Sequence, residues 1–189
     1  MSQPITIRLS ERGIDRLIRE AKRWRDWQRE RIAVFLDRVA QEGMEIASVR
    51  FERAVYDGTN DVSVRVESRG EETRAVVATG MATLFIEFGT GVTYPDNHPE
   101  AVELGMRRGE YGQGHGKQRS WGYYGDPGTN GVLKEKKNGG AVVITHGNPA
   151  NMPMYETVKE LQDRLTEIAK EVFSGLMWRV KSTRRLRKP

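Results

Sequence analysis

The sequence predicts an α+β protein with a long N-terminal helix, a small antiparallel β-sheet, a long loop rich in glycine and aromatic residues, and a C-terminal helix packed on the sheet. Two patterns predict this class. Apolar residues recur at helical spacing near both ends of the chain, and they alternate with polar residues over a short stretch between them. We expect one domain over residues 1–180, with the loop at 92–140, and a basic, disordered tail at 181–189.

The first helix is predicted to start after Ser10, because serine is a favoured N-cap and Glu11 suits the positive end of the helix dipole. Its apolar face continues to about Gly43, and the apolar residues that follow either extend this helix or begin a second one. Trp24 and Trp27 belong to the apolar face. They act either as packing residues or as part of an interaction face.

The middle of the chain predicts a β-hairpin, because valines alternate with polar residues over 62–66 and the chain returns through 75–78 after the turn SRGEE. The stretch GMATLFIEFG suits a strand or a short helix, and we favour a helix that Gly89 ends in a left-handed cap. Residues 141–145 predict one more strand. Pro153 then suits the first turn of the last helix, whose apolar face follows it.

Composition excludes several classes of protein. The 189 residues include no cysteine, so disulfides and thiolate metal sites are ruled out. No apolar stretch reaches the roughly 20 residues that span a bilayer, and the first ten residues lack the apolar core of a signal peptide. We therefore expect a soluble protein of a reducing compartment, with no membrane partner.

The formal net charge of +5 is accounted for by the last nine residues, KSTRRLRKP, so the remainder of the chain is neutral. Any affinity for phosphate is therefore expected in this tail, which otherwise serves as a solubilising segment. The residues that we expect to contact DNA are Lys181, Arg184, Arg185, Arg187 and Lys188.

Catalytic and metal motifs are not found. His98, His115 and His146 lie far apart in loops, without the spacing that places two ligands on one face. Ser120 has no nucleophile elbow around it, and the GTG that follows Phe88 lacks the remaining residues of a nucleotide-binding loop. We expect no catalytic residue, no metal and no cofactor.

Glu87 is an acid within an apolar run, where a carboxylate without partners costs several kcal/mol. Two arrangements offset that cost. The carboxylate accepts hydrogen bonds from the N–H groups of residues 89–91, or it pairs with an arginine of a neighbouring subunit. Either arrangement gives Glu87 a structural role, because no second catalytic group is available to work with it.

The order of the elements and two short motifs resemble the minor tail, neck and tail-completion proteins of long-tailed bacteriophages. That family typically has Glu-Phe-Gly-Thr after a stretch of small and aromatic residues, then a loop, then Pro-Ala and a Pro followed by Phe or Met just before a terminal helix. The likeness covers most of residues 10–175, although the loop at 92–140 is longer than usual. The matching residues are Glu87, Phe88, Gly89 and Thr90, then Pro149, Ala150, Pro153 and Met154.

The resemblance implies a structural virion protein without enzymatic activity, made in the host cytoplasm and placed at the head–tail junction or in the tail. It implies a ring of copies that joins or completes the tail, next to head-closure, tail-terminator or tail-tube proteins, with the basic tail open to non-specific DNA contact. Two rival functions stay open: a DNA-binding accessory protein, and a hydrolase or nuclease that uses the histidines. Candidate interface residues, which otherwise pack on their own domain, are Trp24, Trp27, Trp121, Tyr123 and Tyr124.

Overall fold

The computed structural model describes residues 10–112 and 114–174, which form the predicted α+β arrangement. The predicted tail, with its five candidate DNA-contacting residues, lies outside the described part. The helices are α1 (Glu11–Glu52), α2 (Thr83–Phe88) and α3 (Pro153–Phe173), and a 3₁₀ turn lies at His115–Lys117. The strands are β1 (Ser63–Ser68), β2 (Arg74–Thr79), β3 (Trp121–Tyr123), β4 (Val132–Glu135) and β5 (Ala141–Thr145).

Helix α1 is one continuous helix of 42 residues, about 63 Å long at 1.5 Å per residue. Its predicted cap is confirmed, because the Ser10 hydroxyl accepts a hydrogen bond from the Gly13 N–H at 3.2 Å. Gly43 does not end the helix. A Cβ at this position would lie 2.8 Å from Leu161 and 3.1 Å from Val76, so Gly43 is the point where α3 and the hairpin pack closely on α1.

Helix α3 packs chiefly along α1 and also contacts α2. It runs antiparallel to α1, since Glu160 near its start pairs with Arg50 at 2.9 Å and Glu171 near its end pairs with Arg38 at 2.6 Å. The Phe173 ring then reaches the first half of α1. The main packing partner of the C-terminal helix is therefore α1, which refines the predicted packing on the sheet.

The strands form two small antiparallel sheets. Strands β1 and β2 make the predicted hairpin, with Ser63 opposite Thr79 and Ser68 opposite Arg74. The second sheet has the order β3-β5-β4, so two of its strands lie inside the region predicted to be a long loop. Strand β3 has three residues and pairs with a β5 that is distant in sequence, whereas β4 pairs with β5 as its neighbour in a hairpin but has four exposed residues without apolar–polar alternation. Local periodicity therefore reveals neither strand.

The buried core joins the end of α1 to α2. Phe51 and Ala54 pack with Ala82 and Ile86, and residues of the hairpin and Met154 close over them. Gly89 ends α2 as predicted, but its φ of 74° and ψ of 172° are not those of a left-handed helical cap. Within the described ranges, no helix combines the length and apolar character that crossing a bilayer requires.

Candidate functional site

The Glu87 side chain is buried at the start of α3, with only 6% of the residue exposed. Its two carboxylate oxygens accept hydrogen bonds from the main-chain N–H groups of Met154 at 2.8 Å and Tyr155 at 3.0 Å. A carboxylate in this position also interacts favourably with the positive end of the helix dipole. Glu87 therefore caps a helix that begins more than sixty residues later.

Helix α3 needs this external cap because its own first residues supply none. Met152, at the N-cap position, makes no side-chain cap bond, and Pro153 has no N–H to donate. The N–H of Glu156 bonds the Met152 carbonyl at 2.9 Å, so the N–H groups that remain are the two bound by Glu87. Met152 itself has φ 54° and ψ 40°, a left-handed conformation that costs a non-glycine residue about 1–2 kcal/mol.

Glu87 thus accepts main-chain hydrogen bonds as expected, but from different donors. We expected the N–H groups of residues 89–91 to be the donors, and for Gly89 and Thr90 this expectation is wrong. Gly89 donates its N–H to the Phe85 carbonyl at 3.0 Å, and Thr90 donates to the Asn148 carbonyl at 2.9 Å. Pairing with an arginine of another subunit stays a prediction.

His98 is the third partner of Glu87, and its side chain is buried. Its Nε2 lies 3.2 Å from the Glu87 Oε1, while its Nδ1 accepts the N–H of Glu100 at 3.2 Å. This network assigns the proton to Nε2 in the neutral ring. The ring packs against Phe88 and Tyr155, with centroids 4.4 Å and 5.5 Å away. Both ring nitrogens are used within the protein, so the arrangement holds structure in place and leaves no nitrogen facing a substrate.

The two sequence motifs lie against each other. Thr90 and Asn148 form an isolated antiparallel bridge, with N–H to carbonyl distances of 2.9 Å and 3.0 Å in the two directions. The N–H of Asn151 bonds the Ile86 carbonyl at 2.9 Å, and that of Met152 bonds the Glu87 carbonyl at 3.3 Å. We call this assembly the Glu87 junction; it consists of residues 86–90 and 148–155 together with His98 and Arg108.

Arg108 supplies the positive charge of the Glu87 junction. Its guanidinium donates to the main-chain carbonyls of Tyr94, Gly91 and Asn148, and so joins the loop after α2 to the segment before α3. Burial lowers the pKa of Arg108, and the nearby negative charge of Asp96 opposes that effect. No sequence signal marks this residue, because its partners are carbonyl groups that every residue has.

Arg108→Lys is expected to lower the free energy of unfolding by about 1–3 kcal/mol, the cost of leaving buried polar groups unsatisfied. The single ammonium group of lysine cannot reproduce the planar guanidinium, whose N–H groups reach three carbonyls. Arg107→Lys is the matched control, since Arg107 is exposed and is expected to change stability by less than about 0.5 kcal/mol. Urea unfolding measures both; equal small losses would contradict the role of Arg108.

The candidate interface aromatics lie in separate parts of the fold. Trp24 is 45% exposed and meets Trp27 edge to face, with ring centroids 5.8 Å apart, while Trp27 also packs against Phe173. Trp121 and Tyr123 lie on β3 and line a cleft on the body of the protein. Tyr124 is 76% exposed, with the Lys136 ammonium 4.6 Å from its ring centroid.

The other histidines remain separate from the Glu87 junction. His146 is exposed and its Nδ1 lies 3.2 Å from the Arg119 carbonyl, whereas the side chain of His115 lies outside the described part. Among the described residues, no three His, Asp or Glu side chains are grouped so that they could hold a metal ion.

These observations define an α+β protein whose candidate site is a network of main-chain hydrogen bonds fixed by one buried acid and one arginine. Comparison of the chain with family models, with curated proteins and with solved structures finds no match.

Proposed function

We propose that this protein is a structural component of the head–tail junction of a long-tailed phage, a neck or tail-completion protein that works as a ring of subunits. The observation that carries the proposal is the contact between the two motifs. Residues 87–90 and 149–154 are short motifs, but the Glu87 carboxylate of the first caps the helix that begins within the second. The two motifs therefore have a physical reason to occur in the same chain, namely the capping bond between them. Two short motifs that did not touch would have no such reason.

The shape of the protein also suits assembly. Helix α1 is twice as long as α3, and its first half exposes apolar side chains. Ile14, Ile18 and Trp24 are each more than two-fifths exposed. A subunit of a ring must present its contact surfaces at fixed angles, and the Glu87 junction fixes the loop after α2 against the start of α3.

The proposal is tested in the virus that encodes the protein. When its synthesis is stopped, we expect filled heads and separate tails that do not join, visible by electron microscopy. Supplying wild-type protein or Glu30→Ala, which changes an exposed acid, should restore joined particles, whereas Glu87→Ala should not. Normal yields of joined particles without the protein, or its absence from purified virions, would overturn the proposal.

A DNA-binding accessory protein is the second candidate, favoured by the five positive charges in the last nine residues. Truncation after Val180 is expected to leave the unfolding midpoint nearly unchanged and to abolish salt-sensitive binding to duplex DNA. Neutralising five phosphates corresponds to a slope of about −4.5 in log K against log salt for the full chain. A large fall in the midpoint would make the tail part of the fold, and no DNA binding at low salt would exclude this role.

A further inference from the structure

A cleft of about 410 Å³ lies next to the end of α1. Tyr56 and Asp57, which follow α1 by only a few residues, form part of its wall. Five aromatic side chains line the cleft, and among the described residues no lysine or arginine lines it. The aromatic residues are Tyr56, Phe85, Tyr111, Trp121 and Tyr123.

Asp57 is the only acid in the described wall of this cleft, and the residue is 7% exposed. Its Oδ1 accepts a hydrogen bond from the Asn148 side-chain amide. Its Oδ2 is buried and has no hydrogen-bond partner among the described residues. A buried carboxylate oxygen without a donor is costly, so this position favours a ligand that brings a positively charged donor.

Negative charges near the cleft also favour a positively charged ligand. Burial raises the pKa of Tyr123 to about 12, and the charges of Asp57 and Asp126 contribute to the increase. Burial and the charges of Asp57 and Asp61 also raise the pKa of Tyr56. Three carboxylates therefore act on Tyr56 and Tyr123, whereas the positive charge of Arg108 acts on Tyr111 in another part of the wall. Aromatic faces attract cations, guanidinium groups above all, so the part of the cleft near Asp57 suits a guanidinium.

The opposite end of α1 carries suitable cations. Arg12, Arg16, Arg19 and Arg23, which we call the arginine stripe, recur at spacings of three and four residues and so share one helix face. All four are exposed, and within the described part none makes an ion pair. Arg23 precedes the end of α1 by 29 residues, about 44 Å of helix. One copy therefore cannot place its own stripe in its own cleft.

We propose that the cleft binds an arginine guanidinium from the arginine stripe of a second copy of the chain. The guanidinium pairs with the negative charge of Asp57 and stacks on the aromatic walls. The contact joins different surfaces of the two copies, and such head-to-tail contacts close into a ring when the rotation permits. This inference rests on the proposed function, because it names the contact that would form the ring.

The test mixes two full-length variants. Asp57→Asn, which keeps the size of the side chain, removes the charge in the cleft; a second variant replaces all four arginines of the stripe with glutamine. We expect wild-type protein to form multi-subunit assemblies in native mass spectrometry and each variant alone to be monomeric. A mixture of the two should give one-to-one dimers and nothing larger, because only one intact cleft and one intact stripe can then meet.

A second pair of variants keeps the test valid if Asp57→Asn does not fold. Tyr123→Leu removes an aromatic wall of the cleft and is expected to abolish assembly, whereas Tyr123→Phe keeps the wall and should assemble like the wild type. Circular dichroism confirms the folded state of every variant before its mass is measured.

The contact would be overturned if the mixture of folded variants stays monomeric, or if the wild-type protein stays monomeric at all concentrations. It would also be overturned if truncation after Val180 abolishes assembly while replacement of the arginine stripe does not. Rings of fixed size that persist in both variants would overturn the contact and support the ring. Assemblies without a fixed subunit number, abolished by both variants, would support the contact and contradict the ring.

Discussion

Glu87→Ala is expected to lower the free energy of unfolding more than any other single change to a charged residue of this protein. The partly buried N–H groups of Met154 and Tyr155 lose their acceptor, and a donor left without a partner costs up to about 1–3 kcal/mol, so the two together cost up to about 2–6 kcal/mol. His98 loses its partner as well. Loss on this scale is a large part of the 5–15 kcal/mol that stabilises a typical domain.

Urea unfolding of three variants separates the contributions. Glu30→Ala removes an acid whose side chain is 65% exposed and should stay within about 0.5 kcal/mol of wild type. Glu87→Gln keeps the size of the side chain but offers one acceptor oxygen where the carboxylate offers two, so an intermediate loss is expected. If Glu87→Ala and Glu30→Ala have equally small effects, Glu87 does not cap α3.

Gly89→Ala is expected to be the most damaging change to a small residue in the Glu87 junction. Gly89 has a φ of 74°, and an added Cβ would lie 2.6 Å from the Ala150 nitrogen and 2.7 Å from the Asn148 carbonyl oxygen. Backbone strain of about 1–3 kcal/mol adds to overpacking of about 1–3 kcal/mol, for a total loss of about 2–6 kcal/mol.

Gly105→Ala is the matched control for Gly89→Ala. Gly105 has a φ of 66°, but no atom lies within 4 Å of the position of its added Cβ. This variant therefore carries the strain of a left-handed alanine, about 1–2 kcal/mol, without the collision. Thermal and urea unfolding compare the two variants; equal losses would mean that the motifs are not in close contact at Gly89.

Local patterns in the sequence predicted the long helices, the hairpin and the strand at 141–145, because periodicity and caps are properties of neighbouring residues. They could not predict β3, which pairs with a strand distant in sequence, or β4, which is short, exposed and without alternation. They could not predict the carbonyl contacts of Arg108 either. One feature of the sequence does point to the partner of Glu87. Helix α3 begins at Met152-Pro153 without a capping side chain, which leaves its first N–H groups available to an acceptor from elsewhere in the chain.

The capping of α3 by Glu87 also sets an order of events during synthesis. The carboxylate leaves the ribosome 67 residues before the N–H group of Met154 that it binds. Until α3 is made, Glu87 lacks its main-chain donors and the face of α1 that α3 covers is open. Local contacts can form the first helix and the hairpin early, whereas closure of the Glu87 junction joins residues distant in sequence and is slow for that reason. A nascent chain of this protein therefore closes the Glu87 junction only after the start of α3 has been translated.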